Sequence, residues 1–274
     1  NLGYRSLFTG LGGDELNAGE YDYFFYFFAD LKHQKKDALL RKEIEAWIRN
    51  HNHPIFQKSK HLAMSQISKL TSPSATGNCN PDIELLYKYQ NILHSDLTDL
   101  SDVIPTYPAT SDSYLLSHSR NELLQTTMPC CLRASNLNSN AMGISDFHPF
   151  LDYRLFELMD GVPSEQKIQN GVTKAFARRA YKGLLPEATR TRISKKGWNA
   201  PAHQWFADEG RKKLLDLISS RQFIERGIYN QKELHKVVNQ HFKILESGKN
   251  IENHMMVIWQ IVSLEIWLRN MESL

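Results

Sequence analysis

The chain has 274 residues, of which 41% are hydrophobic and 23% charged, and its formal net charge is +3. This is the composition of a globular protein that can bury a full core. Because 33 basic residues nearly balance 30 acidic ones, charge gives no indication of nucleic-acid binding. Three cysteines without a CxxC pair favour a reducing, cytoplasmic compartment. The longest apolar run, residues 23–29, is too short to span a membrane.

The first motif in the chain is a glycine-rich turn at residues 9–15, Thr-Gly-Leu-Gly-Gly-Asp-Glu. The short run before it, residues 5–8, predicts a buried strand, and the aromatic segment 21–28 after it predicts a helix. Glycines let the backbone bend tightly and approach a ligand closely, and Asp14 and Glu15 add two carboxylates. This pattern is typical of a Mg²⁺–phosphate site, but also of an ordinary helix start, so the turn alone leaves both interpretations open.

Beyond this turn the pattern is helical nearly throughout. Leu40, Ile44, Trp47 and Ile48 form one apolar stripe of an amphipathic helix. Further helices are predicted over residues 82–97, from the Ser111-Asp112 cap onward, from 129 to the break at 148–149, and over 152–159, 173–183 and 251–268. In the last of these, the aromatic and methionine residues are interpreted as core. The intervening loops separate helices whose apolar faces need each other, so we predict a single domain over residues 1–274.

Two basic segments are candidates for binding negative charge. Lys174 and Arg178 lie one helical turn apart and place two positive charges on one helix face. Lys195 lies in a loop punctuated by glycine and proline, between Arg192 and Trp198. A lysine held in such a loop can neutralise phosphate or stabilise a developing oxyanion, whereas an exposed surface lysine is the common alternative. The sequence contains no G-x-S-x-G, HExxH, Walker or GxGxxG motif.

Four separated stretches, taken in order, resemble the synthetase domain of glutamine-hydrolysing asparagine synthetases. The glycine turn is similar to that family's S/T-G-x-G-S/G-D-E motif. Pro-Phe-Leu-Asp at 149–152, preceded by Leu-Arg at 132–133, resembles the end of its long signature. Residues 171–174 through 185–186 resemble its G-x-x-K…LP element, and residues 192–201, followed by Trp205, resemble its R-x-K-K-G-F…P…W element.

The resemblance implies an α/β fold of the adenine nucleotide α-hydrolase (PP-loop ATP pyrophosphatase) type. In this chain the fold is expected to be predominantly α-helical, with one or two parallel strands near the N-terminus. The implied activity is that of an ATP-dependent amide-forming ligase, a carbon–nitrogen ligase. ATP adenylates a carboxylate, pyrophosphate leaves, and an amine or glutamine-derived ammonia attacks the acyl-adenylate. The implied cofactors are ATP and Mg²⁺, and the implied partner is a small-molecule carboxylate rather than a nucleic acid or a membrane.

Site residues are carried over by matched position. The residues implied to bind the cofactor are Thr9, Gly10, Leu11, Gly12, Asp14 and Glu15, with Asp14 also the Mg²⁺ ligand. Lys174 and Lys195 are the implied catalytic residues, meeting the phosphates and the charge of the adenylation and acyl-transfer transition states. This agrees with the interpretation from the residues themselves, because a carboxylate turn and two lysines suit Mg²⁺–pyrophosphate chemistry.

Several departures from the family pattern bear on the product. Leu11 stands where asparagine synthetases have Glu and β-lactam synthetases have Tyr, so asparagine is not the assured product. Asn136 and Leu137 replace the usual Asp-Arg, and Ser145 and Phe147 replace Glu and Arg. Two alternatives therefore stay open. Beside the asparagine synthetase type of ligase, one alternative is a related synthetase that cyclises or amidates another substrate, of the β-lactam or peptide cyclase type. The other is a degenerate homologue acting as a binding subunit.

The family's pyrophosphate loop, S-G-G-x-D-S, and its glutaminase domain are expected before these motifs, and neither occurs in the 274 residues. We therefore expect the chain to be the C-terminal part of a longer protein, or one of two pieces, with a partner region carrying the loop. By itself it is expected to be inactive.

Overall fold

The computed structural model describes residues 3–50, 58–72, 87–99, 109–194, 202–249 and 251–272. The chain forms two compact units, Asn1–Asn80 with Thr106–Lys195, and Pro81–Pro105 with Lys196–Leu274. That both belong to one domain stays a prediction. Among the described residues, no helix combines the length and the apolar character needed to cross a bilayer.

Helices make up most of the described chain. In the first unit they are α1 (Gly13–Asn17), α2 (Tyr23–His33), α3 (Asp37–Asn50), α4 (Lys60–Leu70), α5 (Tyr114–Leu124), α6 (Thr127–Ala141), α7 (Tyr153–Asp160), α8 (Ser164–Lys167), α9 (Ala175–Ala180) and α10 (Glu187–Arg190). In the second unit they are α11 (Ala202–Trp205), α12 (Asp208–Ile218), α13 (Arg221–Glu225), α14 (Gln231–Glu246) and α15 (Met255–Glu272). Short 3₁₀ turns are formed by Gln90–Ile92, Ser95–Leu97 and Pro149–Leu151.

A two-stranded parallel sheet lies in the first unit. Strand β1 (Ser6–Phe8) pairs with β2 (Ser145–Phe147), with Ser6 opposite Ser145 and Phe8 opposite Phe147. The N–H of Thr9 continues the ladder by donating to the carbonyl of Phe147 at 2.9 Å. Because the strands are parallel, Thr9 and His148 leave the sheet at the same, carboxyl edge, which is where parallel sheets bind ligands.

The predominantly helical character and the strand near the N-terminus are confirmed, but two details of the prediction are wrong. β1 is exposed rather than buried, with Phe8 70% accessible. The second strand lies far along the chain, where the sequence pattern predicts a helix as far as residue 147. Helix α6 instead ends at Ala141, and Gly143, with φ of +65°, turns the chain into β2. The type of α/β fold stays a prediction.

Aromatic residues build the core of the first unit. Helix α2 buries Phe24, Phe27 and Phe28, and the rings of Phe24 and Phe28 lie 6.2 and 5.7 Å from the ring of Trp47 on α3. A second cluster, centred on Leu16, Leu123, Met128 and Met159, is packed by Leu11, Phe150 and Leu151. The glycine turn is therefore anchored to this second cluster through the side chain of Leu11.

The second unit has its own apolar core, to which α12, α13, α14 and α15 contribute. The prediction that the aromatic and methionine residues of the last helix are core is wrong for three of them. Met256, Trp259 and Trp267 are 42–62% exposed, as is Ile266, whereas Ile258 and Ile261 are buried. This helix is apolar around most of its circumference, so it cannot bury every apolar side chain against one neighbour.

Several predicted helix boundaries shift by a few residues. Ser113, not Ser111 or Asp112, caps α5, and Lys174, not Thr173, is the N-cap residue of α9. The helix predicted to close at Gly183 ends at Ala180. Residues 82–86 of the helix predicted over 82–97 lie outside the described residues, and 90–97 contains the two 3₁₀ turns.

Candidate functional site

The glycine turn packs directly against the segment that follows β2. A Cβ on Gly12, whose φ is +87°, would lie 2.3 Å from Cδ2 of Leu151. A Cβ on Gly13 would lie 3.4 Å from the ring of Phe150. Only glycine fits at position 12 without displacing Leu151, because both the backbone angle and the space exclude a side chain. The turn and the Pro149–Leu151 segment therefore form one surface at the carboxyl edge of the sheet.

Thr9 and His148 form a hydroxyl–imidazole pair at this edge. The distance from Oγ1 of Thr9 to Nδ1 of His148 is 2.6 Å, and the N–H of Leu11 lies 3.4 Å from the same hydroxyl oxygen. Both side chains of the pair are half-buried. The sequence does not identify His148 as a site residue, because its pattern marks this position only as the end of a helix. No spacing rule could have found it, because strand pairing alone brings the two residues together.

Asp14 and Lys174, predicted separately as site residues, form an ion pair. Nζ of Lys174 lies 2.5 Å from Oδ1 of Asp14, and both side chains are a little over one third exposed. The backbone N–H of Lys174 also donates to the carbonyl of Asn17 at the end of α1. A Cβ on Gly19 would lie 2.0 Å from Oδ1 of Asp14 and 2.5 Å from Cε of Lys174. Glycine at position 19 therefore makes room for the pair.

The turn that leads into Lys174 is fixed to α3 by a buried carboxylate. Glu43, which is 4% exposed, accepts hydrogen bonds from the N–H groups of Asn170 and Gly171 at 2.9 and 2.8 Å. Asn170 and Gly171 both have positive φ, 52° and 65°. Lys174 itself is left-handed, with φ of 58° and ψ of 27°. The position of the lysine thus depends on a tightly specified loop rather than on a helix.

Comparison with known proteins assigns the chain to a family. Residues 2–269 match the family model described as asparagine synthase. The chain belongs to the asparagine synthase family. Over 74 residues, 27% of the chain, it is 34% identical to asparagine synthetase [glutamine-hydrolyzing] 1 of Bacillus subtilis (strain 168), and this alignment spans only 12% of that relative's length. No solved structure matches.

Three of the four asparagine synthase-like motifs come together in the first unit. The glycine turn contacts the 149–152 segment, and Asp14 in the turn contacts Lys174 in the third motif. Lys195, in the fourth motif, lies outside the described residues, so its catalytic role stays a prediction. Within this family member, the motifs are therefore held together by packing contacts that their separation in sequence does not reveal.

Arg178 has a different position from the one its spacing suggests. Its guanidinium donates to the backbone carbonyls of Thr173 and Arg192, each at 2.9 Å, and to that of Arg190. Burial, and then the charges of Arg190 and Arg192, lower the pKa of Arg178 from its usual value. The hydrogen-bonding groups of Arg178 are thus engaged by backbone carbonyls, and a role for its charge beside Lys174 stays a prediction. Arg178 ties the Lys174 turn to the segment that leads to Lys195.

We expect Arg178→Gln to loosen residues 190–194 without unfolding the unit. Loss of hydrogen bonds from a charged donor should lower the free energy of local opening by roughly 1.5–3 kcal/mol. The population of the locally open form should then rise by about 10- to 100-fold. Thermolysin cleavage before Ile193 in the native protein should therefore accelerate by that factor. Lys182→Gln, at an exposed position nearby, is the matched control. Equal cleavage rates in the two variants would show that Arg178 does not hold this segment.

Glu15 and Leu11 face the interior of the unit. Glu15 is 7% exposed and lines a small cavity with Arg120, Asp160 and Lys167. Burial raises the pKa of the Glu15 carboxyl, and the nearby Asp14 and Glu122 carboxylates raise it further. Leu11 packs on the apolar cluster around Leu16. Their assignment to cofactor binding stays a prediction, as do those of Thr9, Gly10 and Gly12.

The residues present fit a nucleotide-bound Mg²⁺ better than a metal bound by protein alone. Among the described residues there is no group of three or more His, Cys, Asp or Glu side chains able to hold a metal ion. Mg²⁺ that accompanies nucleotide phosphates usually takes only one or two carboxylates from the protein. Asp14, partly exposed beside Lys174, is a donor of this kind.

Proposed function

We propose that this chain is the acyl-adenylate-forming part of an ATP-dependent amide-forming ligase. A carboxylate is adenylated by ATP, pyrophosphate is released, and ammonia or another amine attacks the acyl-adenylate. The observation that carries the proposal is the Asp14–Lys174 ion pair beside a glycine turn at the carboxyl edge of a parallel sheet. Membership of the asparagine synthase family supports the same reaction class.

In this proposal each side chain has a defined task. Asp14 holds the nucleotide-bound Mg²⁺, and Lys174 neutralises phosphate charge as pyrophosphate separates. The glycine turn, residues 9–12, forms the wall along the acyl-adenylate because it lets the backbone approach closely. Mg²⁺ supplies charge neutralisation and orients the phosphates. We further propose that Lys195 meets the same phosphates, and that a region outside these residues, or a partner chain, supplies the pyrophosphate loop.

The product of the reaction need not be asparagine. Leu11 packs on an apolar cluster and has no group that can accept a proton or position an amine. This favours our second candidate, a related synthetase that amidates or cyclises a different carboxylate. It does not favour a non-catalytic binding subunit. A binding subunit has no evident use for Lys174 and Asp14 paired beside the glycine turn, whereas phosphate and Mg²⁺ chemistry uses both charges.

Carboxylate-dependent exchange of ATP with labelled pyrophosphate tests the proposal. In the natural full-length protein, we expect Mg²⁺-dependent exchange with at least one member of a panel of amino acids and other small carboxylates. Asp14→Asn should reduce that exchange by roughly 10²-fold or more, because the carboxylate charge is lost where the metal is held. Asp96→Asn, at an exposed carboxylate, should leave it unchanged. Absence of exchange with every carboxylate in a folded protein would refute the proposed function.

A further inference from the structure

We propose that His148 accepts the proton of the attacking amine during amide formation. The inference rests on the proposed function and adds to it a catalytic residue. Its basis is the contact between His148 and Thr9, which joins an imidazole to the glycine turn at the carboxyl edge of the sheet.

The fold fixes the position of the imidazole. Phe8 and Phe147 are paired in register, so the next residues, Thr9 and His148, leave the two strands side by side. Their side chains meet at 2.6 Å. Immediately after His148, the Pro149–Leu151 turn packs against Gly12 and Gly13. The backbone that carries the imidazole is therefore held against the turn proposed to line the acyl-adenylate.

An ionised aspartate lies on the same strand as the imidazole. Asp146 precedes His148 by two residues, so both side chains start from the same face of β2. Hydrogen bonds from Ser135 and Ser139, and then the charge of His148, lower the pKa of Asp146 below its usual value. Asp146 therefore stays ionised and places a negative charge two residues from the imidazole.

The other side chains of the turn are poorly suited to this task. Leu11 is apolar, Asp14 is engaged by Lys174, and Glu15 is buried beside other acidic groups. His148 is half-buried. When Nδ1–H donates to the hydroxyl of Thr9, the lone pair of Nε2 is available as a base. Thr9 thus orients the ring, and in this tautomer Nε2 is the base.

The proposed step conserves atoms and electrons. The amine nitrogen forms a bond to the acyl carbon, and the bond from that carbon to the phosphate oxygen of AMP breaks. AMP leaves with the electron pair. One proton moves from the amine nitrogen to Nε2 of His148, which leaves a neutral amide, and the imidazolium then releases that proton to solvent.

The test separates the two half-reactions in the natural full-length protein. His148→Asn places an amide at the position of Nδ1, where it can still hydrogen-bond to Thr9, but it cannot take up a proton. We expect this variant to keep pyrophosphate exchange within about twofold, while amide formation falls by roughly 10²–10⁴-fold. Hydroxylamine is a strong nucleophile of low basicity, so its attack depends less on removal of a proton by the protein. With hydroxylamine as the amine, the variant's rate should rise by at least about tenfold.

His61→Asn, at an exposed histidine, is the control and should change neither half-reaction. Unchanged amide formation in His148→Asn, with exchange intact, would overturn the inference and leave the proposed function standing. Equal loss of exchange and amide formation in a folded variant would also overturn it, since His148 would then serve adenylate binding. Absence of exchange in the unaltered protein would refute the proposed function itself.

Discussion

Lys174→Ala is expected to lower ATP–pyrophosphate exchange by roughly 10²–10³-fold, the usual effect of removing one preorganised charge from a transition state. Lys174 carries a positive charge that the structure places 2.5 Å from Asp14 at the glycine turn. The fold should survive the change. The side chain is 38% exposed, and partly exposed ion pairs contribute only about 0–1 kcal/mol to stability. Alanine in the same left-handed backbone costs about as much as lysine, so the loss should be one of activity alone.

Lys182→Ala provides the matched control, because Lys182 is an exposed lysine shortly after the same helix. It should keep full exchange activity. Lys174→Arg should also lower exchange, because a planar guanidinium does not place its charge where the compact ammonium group of lysine lies. Wild-type exchange rates in Lys174→Ala would remove this residue from the mechanism.

Among the glycines of the first unit that have positive φ, Gly171 is the one whose substitution by alanine is expected to destabilise the unit most. The residue has φ of +65°, and its Cβ would lie 2.4 Å from backbone atoms of Ala46 and Trp47 in α3. The left-handed conformation costs alanine about 1–2 kcal/mol, and forcing a methyl group against backbone costs roughly 1–3 kcal/mol more. A total of about 2–5 kcal/mol is a large fraction of a domain's stability.

Gly143→Ala is the control for this prediction, because Gly143 has the same φ of +65° but nothing within 4 Å of the added Cβ. It should lose only the conformational cost, about 1–2 kcal/mol. Urea unfolding of both variants, compared at equal m-value, measures the difference. Equal midpoints would mean that the 168–173 turn is free to move away from α3, and the contacts of Glu43 with this turn would then not fix Lys174.

The sequence predicted those parts of the site whose residue types or spacings form a recognisable pattern within a short stretch of the chain. The glycine turn and the aromatic helix that follows it have clear composition, and Lys174 lies in a motif of recognisable spacing. His148 and β2 could not be predicted, since a three-residue strand has no periodicity and its partner is distant in sequence. No sequence pattern predicts the contacts of Glu43 and Arg178 either, because both side chains bind backbone groups that every residue carries.

The last helix shows a second limit of sequence reasoning. Apolar residues occupy most of its circumference, so periodicity does not indicate which face is buried. The structure buries the face of Ile258 and Ile261, together with Glu265, which is paired with Arg226 and Arg269. A charged residue therefore lies on the buried face while two tryptophans are exposed, the reverse of what hydrophobicity alone would suggest.

Lys174 adopts a left-handed backbone conformation at an unusual place in the chain. Lys35, also left-handed, follows the end of helix α2, where this conformation is common, whereas Lys174 begins a helix. Glycine at position 174 would relieve about 1 kcal/mol of strain. Lys174→Gly should therefore relieve strain in the first unit, while removing the charge on which the proposed chemistry depends. In the proposed function, this position gives up stability for the sake of chemistry.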